Sequence, residues 1–241
     1  METVGVEQAS FHIGGENNLV EMFDVYDENW QPAGIASRED THRLGLRHRA
    51  FHCWLINCSS GQPNVRFQKR QIGKDTYPDY LDITAAGHLT AGEEVYDAMR
   101  EIEEELGISA IFDELIPLGW HEKRATGIAG GKPFIDHERS DVFALHCDLP
   151  LLQHRLQREE VSGIYEAPLE DLIRLFEDKV DIIEASGAEW GNDASGFKAS
   201  GTIAGTTTGL VPVRLKIQAK DFIPREQDYY AELFRRLLEL A

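Results

Sequence analysis

An α/β layered domain is the fold class this sequence predicts, on three observations. Several stretches alternate apolar and polar residues around turn signals, other stretches space apolar residues helically, and the two kinds are interspersed along the chain. At 241 residues the chain is long enough for one large domain with its own core and too short to require two.

Residues 1–18 mix Gly, Asn, Glu and Ser without periodicity and read as a mobile tail, which leaves 19–241 as a single domain. From Glu21, "EMFDVYDENWQPAGIAS" alternates on both sides of Asp-Glu-Asn and predicts a hairpin over about 21–37. "RAFHCWLINCSSGQPNVRFQKR" repeats the pattern around Ser-Ser-Gly-Gln-Pro. A helix follows near residue 100, and "GKPFIDHERSDVFALHCD" predicts a strand pair. "PLEDLIRLFEDKVDII" has helical spacing behind Pro168, a first-turn residue. Residues 194–209 are rich in Gly, Ser, Thr and Ala and read as a loop. "REQDYYAELFRRLLELA" closes the chain as an amphipathic helix over about 225–240, with Tyr230, Leu233, Leu237 and Leu240 near one face. No internal repeat is visible.

Composition excludes several classes of partner. Lys plus Arg total 24 against 42 Asp plus Glu, a formal charge of −18. That field repels polyanions, so no nucleic acid polymer is expected, whereas a small phosphorylated ligand is acceptable if a divalent cation mediates the contact. No apolar run approaches the roughly eighteen residues that cross a bilayer, and the longest, Ala50 to Ile56, is interrupted by His52, so no membrane partner is expected. The opening residues lack a basic region followed by an apolar one, and Cys53, Cys58 and Cys147 fit neither a disulfide framework nor a zinc site. A reducing cytoplasm is the expected compartment.

The segment "GHLTAGEEVYDAMREIEEELGI", residues 87–108, crowds carboxylates onto one helix. At about 100° per residue, Asp97, Glu101, Glu104 and Glu105 share a face, while Val95, Met99, Ile102 and Leu106 form an apolar stripe. A solvated acidic face would account for the charges. Against that, like charges at these spacings destabilise a helix by about 0.2–0.5 kcal/mol per pair, and only Arg100 lies near the face. Gly87 and Gly92 also frame a loop with free backbone groups beside the carboxylates. Magnesium answers all three points, since it takes carboxylate and carbonyl oxygens and keeps positions for water and phosphate.

Gly87, Glu93, Arg100-Glu101, Glu104-Glu105 and Gly107-Ile108 together resemble the Nudix box of the Nudix hydrolases. Six residues separate Glu93 from Arg100, one fewer than the family pattern, which leaves Glu94 as an alternative to Glu93. The resemblance implies a Nudix fold, a mixed sheet sandwiched between helices, with an N-terminal hairpin and C-terminal helix added. It implies that Glu101, Glu104 and Glu105 hold Mg2+ or Mn2+, that the Ala86 backbone carbonyl completes the site, and that Arg100 and Glu93 orient the ligands. "FDVYDENWQPAG", "HRLGLRHRAFHCWLIN", "FQKRQIGKDTYPDYLDITAAGH" and "FIDHERSDVFAL" are similar to the branch related to isopentenyl-diphosphate isomerase, over roughly residues 21–178. In that relative a cysteine precedes the box Gly-His and moves a proton on carbon. Here the position is Ala86, whose methyl can do neither half of that transfer.

His48, His88 and Glu138 align with metal-associated residues of the isomerase, and Asp136 falls beside another. Glu138 reads equally as a further cation ligand and as a strand-surface charge. Gly87, His88, His48, Arg70, Lys74 and Asp136 are the substrate-binding candidates, with Lys69 and Arg124 as further basic residues. Tyr77, Trp120, Phe134 and Tyr165 could stack on a leaving group or fill core. The general base is Glu104, Glu105, or a downstream residue such as Glu159 or Glu160. The expected activity is hydrolysis of a phosphoanhydride in a small diphosphate compound, such as a nucleoside diphosphate derivative, by cation-activated water. An isomerase with a substitute for the cysteine and a non-catalytic Nudix-fold binding module are the alternatives. A homodimer is expected, with the hairpin and the final helix as contact surfaces.

Overall fold

A computed structural model describes residues 20–191, 209–226 and 228–241. The expected tail and residues 194–208 of the expected loop lie outside the described residues. The alternation beginning at Glu21 folds as predicted, β1 (Met22–Tyr26) pairing antiparallel with β2 (Pro32–Ser37). Asp27 shapes the turn between them by accepting from the backbone N–H groups of Asn29 and Gln31. Ser37 then caps α1 (Arg38–Leu44), accepting from the Asp40 N–H.

The main sheet is mixed. β3 (His48–Asn57) and β4 (Asn64–Arg70) form the second hairpin, but only Ile56–Val65 and Asn57–Asn64 pair before the strands splay. β5 (Leu81–Asp82) pairs with β4, and β6 (Ala85–His88) lies antiparallel to β3. α2 (Met99–Leu106) follows, ended by Gly107 at φ 68°, where a side chain would also collide with Arg155. Next come β7 (Ile116–Ala129) and β8 (Lys132–His146), so the segment expected to hold a strand pair is one long strand whose partner lies upstream. β8 runs parallel to β3, His48 opposite Glu138. β9 (Val161–Pro168) leads into α3 (Leu169–Phe176), with Pro168 at the cap rather than in the first turn. β10 (Ile183–Trp190) and β11 (Leu210–Ile217) complete the sheet, in the order β11-β10-β9-β4-β3-β8-β7. α4 (Tyr229–Glu239) closes the chain.

Period-two alternation along β3 splits the core between the two faces. Phe51, Cys53 and Leu55 pack with Ile102 and Leu106 of α2. Trp54 and Ile56 point the other way, into α3 and α4, where Leu172, Tyr230, Leu233, Phe234 and Leu237 are buried. The sheet is thus sandwiched between helices, as expected. The apolar face of α4 is consumed by this core, which leaves its polar face at the surface. Phe234, fully buried, meets the Trp54 ring edge-on at 5.4 Å. Phe234→Ala is expected to cost about 3–5 kcal/mol in urea unfolding through the cavity it leaves.

Candidate active site

The shortened box is absorbed before α2. Residues 93–98 are not helical, and 95–98 form turns, with Glu93 N–H on the Thr90 carbonyl at 2.9 Å and Asp97 N–H on that of Glu94 at 2.9 Å. The Asp97 carboxylate accepts from the Glu94 N–H, so it does not join the helix face on which the sequence placed it. Losing one residue there leaves Glu93 in reach of Arg100. Arg100 Nε donates to Glu93 Oε1 at 2.8 Å and its Nη2 to Oε2 at 3.2 Å, while Oε2 also accepts from the Thr90 N–H. Glu93 is therefore the clamp residue; the alternative, Glu94, is 65% exposed and lies 3.8 Å from Arg49. Arg100 also donates to the His88 carbonyl and lies 2.7 Å from Glu101 Oε1 and 3.6 Å from Glu104 Oε2.

Glu105 is buried, and its Oε2 accepts from Gln68 Nε2 at 3.2 Å and from the Ala86 N–H at 3.3 Å. Burial, followed by the charge of Glu101, pushes the Glu105 carboxyl up to about 8. Glu101 rises to about 7, again chiefly through burial, despite Arg100. Glu104, 54% exposed, stands toward solvent. An ideal Cβ on Gly87 would overlap the Glu101 carboxylate, so a side chain there would displace that carboxylate from its place against the β6 backbone. A buried carboxylate, Glu105, with no cationic partner and a half-buried one, Glu101, shared with Arg100, both against a bare backbone, suit a hard dication with oxygen ligands. The three carboxylates are not gathered on one point; Glu101 is drawn to Arg100 and Glu105 to Gln68.

A second cluster lies on the other face of β3. Among the described residues, the triads with ligating atoms within 4.8 Å of one another are His42, His48 and His88, and His48, Asp136 and Glu138. His48 Nδ1 donates to the Leu46 carbonyl at 3.0 Å and His42 Nδ1 to that of Arg38 at 2.9 Å. In the neutral rings those bonds leave lone pairs on both Nε2 atoms, which face the same oxygen, Asp136 Oδ1, at 3.7 and 3.9 Å. Neither His48 Nε2 nor Asp136 Oδ1 makes a hydrogen bond. Buried acceptors turned on one another fit a cation held by imidazole and carboxylate, and the Nδ1 bonds fix the rings for it. Phe23 backs the cluster, stacked on His48 at 5.4 Å and His88 at 4.8 Å. Burial alone would raise Glu138, but Lys123, His52, His88 and Arg225 hold its carboxyl well below the usual range.

Other expected residues are engaged elsewhere. A register shift in β4 re-aims Arg70, which donates to the Thr76 carbonyl and reaches Asp82 Oδ2 at 3.3 Å. Lys74 is paired with Glu160 and Lys69 with Asp79. Tyr165 is core, stacked on Phe67, and Trp120 lies under Arg139 at the surface. Sequence reasoning missed His42 as a candidate ligand and Gln68, Asp82 and Lys123 as neighbours of the two clusters. Three histidines within eleven residues, at 42, 48 and 52, were the available signal for His42.

A helix-sandwiched mixed sheet thus carries an arginine-clamped carboxylate cluster on α2, set against the β6 backbone at Gly87. The model of the NUDIX domain family matches residues 46–186. The chain is 32% identical over 220 residues to an uncharacterized Nudix hydrolase of Clostridium acetobutylicum, covering 91% of this chain and 98% of that one. It is 34% identical over 156 residues to Nudix hydrolase 3 of Arabidopsis thaliana, covering 63% of this chain but 20% of that protein. A crystal structure from Deinococcus radiodurans superposes with a TM-score of 0.46 at 23% identity, over 66% of this chain and 90% of that one. The chain belongs to the Nudix family and is a pyrophosphohydrolase. Nudix hydrolases act on small diphosphate compounds and generally use divalent metals such as Mg2+. Among the described residues, no helix is long and apolar enough to cross a membrane.

Proposed function

We propose that the chain hydrolyses a small organic diphosphate with Mg2+ or Mn2+ bound by Glu101, Glu104, Glu105 and the Ala86 carbonyl. The observation that carries this reading is the Arg100 clamp on Glu93, set beside half-buried Glu101 and buried Glu105, whose carboxyls are both raised by burial. The dication supplies charge neutralisation on the diphosphate and a lowered pKa for the attacking water. The chain supplies position: Arg100 orients Glu101, Gln68 and the Ala86 N–H orient Glu105, and exposed Glu104 takes the proton from water. Arg70 and Lys74 bind phosphate oxygens in exchange for Thr76 and Glu160, with Gly87 and His88 lining the approach. A panel of nucleoside diphosphate derivatives and other diphosphates, assayed with Mg2+ for phosphate-bearing products, tests the reading. Turnover supports it; carbon isomerisation without cleavage, or binding without turnover of any compound, contradicts it.

His42, His48, His88, Asp136 and Glu138 hold a second divalent ion in the same reading, which takes His48, His88 and Asp136 from substrate binding to ligation. Elemental analysis of chelator-free protein should find that metal, and His48→Ala should lower its retention about 10–100-fold. The reading also takes residues 19–241 as one domain that works in the cytoplasm as a homodimer through the exposed side of the hairpin. Light scattering at twice the 27.2 kDa chain mass supports the dimer, and the single chain mass contradicts it.

A further inference from the structure

Outside the two candidate metal clusters, several of the buried, unsatisfied hydrogen-bonding groups among the described residues gather around Arg225. Its side chain is 4% exposed, and of its guanidinium only Nη2 has a carboxylate partner, Asp82 Oδ1 at 3.4 Å; the Tyr230 hydroxyl lies beside it, and Nε and Nη1 have no partner of good hydrogen-bond geometry. The Tyr229 ring lies 5.2 Å from the guanidinium, and its hydroxyl, beside the Trp54 indole, makes no well-formed hydrogen bond either. His52 Nδ1 is likewise unpartnered, while its Nε2 stands 3.7 Å from Glu138. Lys123, paired with Asp136 at 3.1 Å, adds a second buried cation. His121 and half-exposed Glu226 stand at the solvent edge.

This group is continuous with the proposed diphosphate site. Asp82 holds Arg70 through one oxygen and Arg225 through the other. His52 is the β3 partner of Ala86, whose N–H is on Glu105. A substrate with its diphosphate at Glu105 and Arg70 would therefore place its organic end against Arg225. Arg225 comes from the segment before α4, beyond residues 46–186 that match the family model.

We infer that Arg225, with Lys123 and the Tyr229 hydroxyl, receives the organic end of the substrate through oxygen or nitrogen acceptors, so that the leaving group is polar rather than a hydrocarbon. The inference rests on the hydrolase reading and names its substrate class. A hydrocarbon seated here would leave the Arg225 donors buried and unmatched, and a site built to hydrogen-bond a ligand discriminates strongly against an analogue that lacks the acceptor.

The test compares kcat/KM for a nucleoside diphosphate sugar and for isopentenyl diphosphate, with Mg2+, in wild type, Arg225→Met, Arg225→Lys and Tyr229→Phe. The wild type should favour the nucleoside compound. That preference should fall by about tenfold or more in Arg225→Met, mainly through KM, with partial recovery in Arg225→Lys and a smaller fall in Tyr229→Phe. An unchanged preference in folded Arg225→Met and Tyr229→Phe, or a wild-type preference for the hydrocarbon, overturns the inference. Calorimetric binding of the nucleoside compound with Ca2+ separates the two readings. If the wild type cleaves nothing, the hydrolase reading fails, while about tenfold weaker binding by Arg225→Met still supports the acceptor site and equal binding overturns it.

Discussion

Glu105→Gln should lower kcat by about a thousandfold while leaving the fold intact. The change keeps the side chain's shape and one oxygen for the Ala86 N–H, but it removes the charge that a hard dication requires, and the transition-state stabilisation a metal supplies is several kcal/mol. The sign of the stability change distinguishes this account from simple damage. Burial raises the Glu105 carboxyl to about 8, so the ionised form destabilises the metal-free fold at alkaline pH. The neutral amide removes that strain. In chelator at pH 8.5, Glu105→Gln should melt at the same temperature as wild type or higher, and with excess Mg2+ it should gain less. A variant that melts lower in chelator would mean that Glu105 serves the core rather than the metal.

Melting temperature should respond to Mg2+ far more at pH 8.5 than at pH 5.5. The ordinary carboxyl value is 4.5, and the folded chain holds Glu101 at about 7 and Glu105 at about 8. Groups raised in this way contribute stability that is fully present below 4.5 and is lost as pH rises through 7 and 8. The metal-free protein should therefore lose stability from these two residues across that window. Mg2+ binds the ionised carboxylates, so it restores stability where protons no longer do and competes poorly with them in acid. At about 2–4 °C per kcal/mol for a chain of this size, the Mg2+ shift should be several degrees at pH 8.5 and close to zero at pH 5.5. Scanning calorimetry with and without chelator measures it, and a shift independent of pH would contradict the account.

The legible parts of the fold were those whose signal is local. Alternation about Asp27 and about Ser59–Pro63 gave both early hairpins, and the apolar spacing of Leu169, Leu172 and Leu175 gave α3. β10 and β11 were not read, because "IEASGAEW" is rich in small residues, with Gly187 admitting the Tyr165 ring, so its alternation is faint. The extent of α2 was overread toward Asp97, since helical periodicity continues into a segment whose backbone bonds form turns. Within the site, the box residues were readable because the clamp spans only seven positions, Glu93 to Arg100. The second cluster joins α1, β3, β6 and β8 through pairings that sequence does not show, and His42 became visible only when α1 folded over Phe23. Arg225 was invisible for the same reason. Its significance lies in lacking a partner, which only a packed structure reveals.

The central claim is that the α2 carboxylates, together with the Ala86 carbonyl, hold a dication beside the diphosphate. A crystal soaked in Mn2+ and measured at its absorption edge tests this directly. An anomalous peak about 2.1 Å from carboxylate oxygens of Glu101 and Glu105 and from the Ala86 carbonyl, with Arg100 still clamped on Glu93, is the expected result. Mn2+ density confined to the histidine cluster, with Glu101, Glu104 and Glu105 turned to water or bonded only to protein, would contradict it.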